Sequence, residues 1–107
     1  MMTKEQSARF HVGQVVRHRL FDYRGVIFNV DAVFSGDDEW YEHVARSRPP
    51  KDAPWYHVLP GGSEHTTYVA ERHLEIDESG ATVAHPLIEE LFSGRSEHGY
   101  IPRQSLN

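Results

Sequence analysis

Cysteine is absent from this 107-residue chain. Its absence excludes disulfides and thiolate metal centres and removes the usual sequence clue to redox compartment. Long apolar runs are missing as well. No stretch approaches the roughly 18 apolar residues of a membrane span, and the opening MMTKEQSARF has no apolar signal region. These absences predict a soluble, cytoplasmic protein. The signatures of chemistry are also wanting. There is no HExxH or His-x-His pair, no serine in a nucleophile elbow and no legible His–Asp pairing, and Gly61-Gly62 serves a chain reversal rather than a phosphate-binding loop. The sequence predicts no enzyme, no catalytic residue, no bound metal and no cofactor.

What is present is enough for one compact core: 38% hydrophobic and 11% aromatic residues in a single domain's length of chain. The eight histidines raise a metal question, since His57, His65 and His73 fall eight residues apart and imidazole suits zinc, copper or nickel. Equal spacing in sequence is not a coordination geometry, however, and ordinary packed or surface histidines are the expectation. Charge is uneven. Residues 1–36 carry five Lys/Arg against three Asp/Glu, giving +2, and residues 37–107 carry six against thirteen, giving −7. An acidic total of −5 argues against a protein that grips many phosphates, because nonspecific duplex affinity comes from Lys/Arg neutralising them. One local basic face in the first third remains open.

Periodicity organises the chain as a small all-β domain with short helices. VGQVVRHRLF (Val12–Phe21) alternates as a strand with Val16, His18 and Leu20 on one face and Val15, Arg17 and Arg19 on the other. DYRG turns the chain into VIFNVDAVF (Val26–Phe34), a second strand with Val26, Phe28 and Val30 sharing a face. Asp37 or Asp38 can cap a short helix over Asp38–Arg46. RPPKDAP (Arg48–Pro54) is a loop, because its three prolines remove donors and hold their predecessors extended. WYHVL (Trp55–Leu59), HTTYVAE (His65–Glu71) and HLEID (His73–Asp77) supply three further short strands. Five such strands around one core predict a barrel or roll, with Val16, Val26, Phe28, Val30, Val58, Tyr68 and Leu74 as core. HPLIEELFSG reads as a C-terminal helix with Pro86 near its start and Gly94 at its stop. The domain is therefore expected over residues 1–94, followed by a flexible polar tail over 95–107.

PWYHVL poses a choice. As a strand it places Trp55, His57 and Leu59 on one face and Tyr56 and Val58 on the other. Trp55, Tyr56 and His57 then serve either as barrel packing or as an edge that recognises a partner. Arg17, Arg19 and Arg24, grouped around the first hairpin, serve either as solvated surface or as contacts to phosphate and guanine edges.

Taken together and in order, VGQVVRHR, YRGVIFNVD, PWYHVL and YVAERHLE resemble the HspQ family, also described as YccV-like or hemimethylated-DNA-binding. The resemblance covers roughly residues 10–77. It implies a small SH3-like β-barrel, and it implies a cytoplasmic heat-shock protein that self-associates as a trimer or dimer and binds hemimethylated DNA. It further implies an adaptor that promotes turnover of selected proteins, including the replication initiator, with a Lon-type protease as partner. The family pattern labels no catalytic residue. The acidic total favours the adaptor over the DNA reader as the main activity.

Overall fold

The computed structural model describes residues 7–103. Five antiparallel strands form one sheet in the order β4-β3-β2-β1-β5: β1 (Val15–His18), β2 (Arg24–Asp31), β3 (Trp55–Pro60), β4 (Thr67–Ala70) and β5 (Leu74–Ile76). The first four run as a meander, and β5 returns to pair with β1, Val16 opposite Ile76 and His18 opposite Leu74. One turn of 3₁₀ helix, Glu71–His73, links the two outer strands β4 and β5. This is a small β-barrel-like fold, as the strand count predicts. Helix α1 (Asp38–Val44) is inserted between β2 and β3. Asp37 caps it, its carboxylate accepting from the Trp40 N–H at 2.7 Å, which satisfies one of the donors a helix start leaves over.

Both faces of the sheet are covered. One cluster gathers Phe10, Val16, Ile27, Tyr56, Val58, Val69 and Leu74, and the opposite one gathers Val26, Leu59, Val83, Phe92 and Tyr100. Of the expected core, Val16, Val26, Val58 and Leu74 are buried, whereas Phe28, Val30 and Tyr68 are half-buried and pack at the edges. Phe28 and Val30 also do not share a face. The pairing of β2 with β3 shifts between Ile27 and Asn29, so a bulge at Phe28 breaks the strict alternation. Ile27 and Val30 therefore meet one cluster, and Val26 and Phe28 the other.

The expected C-terminal helix is present but shorter than expected, and the chain after it is ordered further than the expected tail allows. Helix α2 is a single turn, Ile88–Leu91. The chain then forms a hairpin, β6 (Phe92–Ser96) with β7 (Gly99–Pro102), where a loose tail was expected over residues 95–102. Polar, glycine-containing SGRSEHGY shows little apolar pattern, but its flanking Phe92 and Tyr100 are buried and anchor the hairpin on the sheet. Tyr100 also accepts the Val83 N–H on its hydroxyl at 3.0 Å. Its own N–H donates to the Gly13 carbonyl at 2.7 Å. Residues 104–107 of the expected tail lie outside the described residues.

Candidate functional site

An aromatic cluster holds α1 against one end of the sheet. Phe34, Trp40, Tyr41, Trp55 and Tyr68 pack there, with ring centroids 4.9 Å apart for Phe34 and Trp55, 5.1 Å for Trp55 and Tyr68 and 5.8 Å for Trp40 and Tyr68. Tilted and edge-on arrangements of this kind add directional attraction to area burial. Tyr41 donates to the Pro49 carbonyl at 2.7 Å and Trp55 Nε1 to the Pro50 carbonyl at 3.0 Å. The proline-rich loop is thereby tied to the same cluster.

Opposite α1 stands the turn between β1 and β2. β1 stops at His18 because the chain reverses there, with Asp22 in the left-handed region at φ 60°. His18 donates its own N–H to the Tyr23 carbonyl at 2.8 Å. The buried His18 ring accepts the N–H groups of both Leu20 and Phe21 on Nδ1, each at 3.1 Å, and stacks on the Phe21 ring at 4.6 Å. Leu20, expected to share a strand face with Val16 and His18, is instead lifted to 62% exposure, and Phe21 to 74%.

Between this turn and α1 lies an apolar groove of about 350 Å³, walled by Leu20 and Phe21 on one side and Trp40 and Val44 on the other, with Val69 and Ala70 on its floor. It adjoins a second depression of about 390 Å³ that shares His18, Phe21, Trp40, Val44, Tyr68 and Val69. The histidines and cations that line the two are His18, His57, His73 and Arg46; no carboxylate does. Burial, and then the neighbouring His73, hold His18 below the ordinary histidine value; burial, and then the cationic Arg72 and Arg19, do the same for His73.

A family model described as hemimethylated DNA-binding protein YccV-like matches residues 8–99. The chain belongs to this family. The match runs past Asp77 through β6, so the YccV-like unit includes α2 and most of the C-terminal hairpin as well as the barrel strands.

Within this YccV-like domain the residues singled out from the sequence have separate fates. Trp55 and Tyr56 are buried at 2% and 0% exposure; they are packing residues, and Trp55 also lines the groove. Tyr56 donates to Glu71 at 2.6 Å and accepts from the Phe10 N–H at 3.2 Å. His57 is half-buried, 3.0 Å from the Asp31 carboxylate. Asp31 also accepts from Tyr68 at 2.7 Å and Ser35 at 2.9 Å. Burial works to raise the Asp31 carboxyl, but these hydrogen bonds outweigh it and hold it below its ordinary value. His57, His65 and His73 do not converge: His73 faces Ser47 at 3.3 Å, and the His65 carbonyl meets the His85 ring at 2.8 Å. Among the described residues no group of three His, Asp or Glu side chains is placed to hold a metal ion.

The three hairpin arginines also separate. Arg24 reaches Asp77 at 2.9 Å and the carbonyls of Ala81 and Thr82 at 2.6 and 3.2 Å. Its hydrogen bond is the main reason the Asp77 carboxyl sits low, and it clasps the loop after β5. Arg17 is shared between Asp22 at 3.4 Å and Glu75 at 3.2 Å. Arg19 is exposed and close enough to His73 to act on its charge. Sequence reasoning missed Leu20, Phe21, Trp40, Val44 and Arg46 as a joint surface. The available signal was Leu20-Phe21 itself, two large apolar residues beside a turn. Among the described residues no helix is long and apolar enough to cross a membrane.

Proposed function

We propose that this chain is a non-enzymatic, cytoplasmic stress-response regulator that acts as an adaptor. It promotes proteolysis of selected proteins, the replication initiator among them, by a Lon-type protease. Family resemblance supplies the partner. The observation that carries the reading is the open apolar groove on an otherwise acidic molecule, since exposed apolar surface of this kind marks a site for another macromolecule. An adaptor needs only such a surface, positioned by a rigid scaffold. The test is degradation of candidate substrates by purified Lon-type protease with and without the chain. Faster loss of at least one substrate is expected; equal rates in both arms for every substrate sink the reading.

Binding of hemimethylated DNA is the second reading, favoured by the family's description and by the exposed arginines Arg19, Arg46 and Arg72. A single methyl group in the major groove offers only apolar contact, which an aromatic and aliphatic groove can supply. Strict preference for hemimethylated over unmethylated duplex, with a steep loss of affinity in salt, would place DNA first. Self-association belongs to the same proposal. The sheet leaves β4 and β5 at its edges, and edges invite pairing, so a homo-oligomer is expected, trimer ahead of dimer.

A further inference from the structure

We propose that the groove between the β1–β2 turn and α1 binds an extended segment of the client protein, one that presents bulky apolar side chains between acidic residues. The inference rests on the adaptor reading and assigns its ligand. The walls are aliphatic and aromatic, and three of their side chains are freely offered: Leu20 at 62%, Phe21 at 74% and Val44 at 55% exposure. They are held in place rather than loose. His18 fixes the turn through two backbone hydrogen bonds, and the Trp40–Trp55–Tyr68 packing fixes α1. Preorganised walls reduce the ordering cost of binding.

Charge then selects the segment's flanks. The chain carries a net −5, yet no carboxylate lines the groove and Arg46 does. Arg19 and Arg72 both act on His73 in its lining. A client with acidic flanks meets cations at the rim, whereas one with basic flanks meets no counter-charge there. A duplex fits less well, because Arg17 is committed to Asp22 and Glu75 and Arg24 to Asp77, leaving few cations for a run of phosphates. A second copy also fits less well. Its own acidic apolar stretch, Leu87–Phe92, already commits Phe92 to the core and packs half-buried Leu87 and Ile88 against it.

The experiment uses the full chain and two fluorescein-labelled peptides, each with two leucines and a phenylalanine, one flanked by glutamates and the other by lysines. Fluorescence anisotropy should show the glutamate-flanked peptide binding at least about tenfold tighter. Phe21→Glu and Val44→Glu should each weaken it by about tenfold or more, as loss of a central contact does. Arg46→Glu should reverse the flank preference, and this exposed position carries the test if an apolar-wall variant fails to fold. Equal binding of the two peptides, or wild-type binding by Val44→Glu, overturns the assignment. So does a set of groove variants that lose hemimethylated duplex, or dissolve an oligomer, while keeping the peptide. Degradation assays separate this proposal from the one beneath it. Stimulation unchanged in Val44→Glu overturns the groove assignment and leaves the adaptor reading standing. Peptide binding without any stimulation by the wild-type chain does the reverse.

Discussion

His18 links the barrel core to the groove, and its chemistry makes that link sensitive to pH. Its Nδ1 must stay unprotonated to accept from Leu20 and Phe21. Burial, with the His73 partner as the lesser cause, lowers its pKa from the ordinary 6.5. The unfolded chain therefore takes up the proton first as pH falls. Where the unfolded state binds more protons, stability rises with pH, so the contribution of neutral His18 is intact above 6.5 and is lost below it. His73 is lowered too and adds in the same direction, whereas Asp31 and Asp77, lowered from 3.8, act only in stronger acid. Thermal midpoints should fall as pH drops below about 6.5. In His18→Asn the side-chain oxygen can accept in place of Nδ1 but cannot titrate, so the slope should flatten. A variant with the wild-type slope would mean that His18 is not the group responsible.

At the scale of elements, the barrel was legible because β-branched alternation and turn residues mark each strand, and because Asp37 caps α1 where an acidic cluster meets a change of period. Two features were not legible. A bulge is one extra residue in a run that otherwise alternates, and nothing in VIFNVD announces which residue it is. The bulge moves Val30 off the face shared by Val26 and Phe28 and onto that of Ile27, and with both faces covered Ile27 is fully buried while Phe28 is only half-buried. Ile27→Ala should therefore cost about 2–5 kcal/mol, and Phe28→Ala, at a half-buried edge, should cost less. Chemical denaturation that ranks them the other way would make Phe28, not Ile27, the main core residue of β2. The second feature is the hairpin β6–β7, hidden because its stabilising contacts are distant in sequence. Gly13 lies at φ 96°, and a Cβ there would run into the Tyr100 backbone carbonyl. Neither backbone can give way without parting β7 from the start of β1. Gly13→Ala should thus lower the melting midpoint and raise hydrogen exchange across 92–102; protection unchanged in that segment would show the hairpin to be docked by other means. The groove was illegible for a related reason. Its walls come from a turn and a helix far apart in the chain, and only the fold makes them neighbours.

For the whole molecule, the placement of charge decides how duplex binding should respond to salt. Of the hairpin arginines, Arg24 is spent on the loop after β5 and Arg17 on two carboxylates. A triple alanine variant at 17, 19 and 24 would consequently confound binding with stability, because losing the Arg24 clasp frees residues 77–82. The cleaner set is Arg19, Arg46 and Arg72, all exposed; among the described residues no carboxylate pairs with any of them. Arg72 alone touches backbone, the Ser47 carbonyl at 2.8 Å. Each phosphate neutralised contributes about 0.9 to the slope of log affinity against log salt, so three contacts limit a single chain to a slope of about −3, and a trimer acting as one to about −8. Titrations of hemimethylated duplex at several salt concentrations, beside light scattering referred to the 12.3 kDa chain mass, give slope and assembly together. A slope no steeper than about −3, whether the mass is one 12.3 kDa chain or a multiple of it, is expected if DNA contact is incidental to an adaptor. A slope near −8 on a trimer, abolished by replacing the three arginines, would make the duplex the principal ligand and the apolar groove its methyl reader.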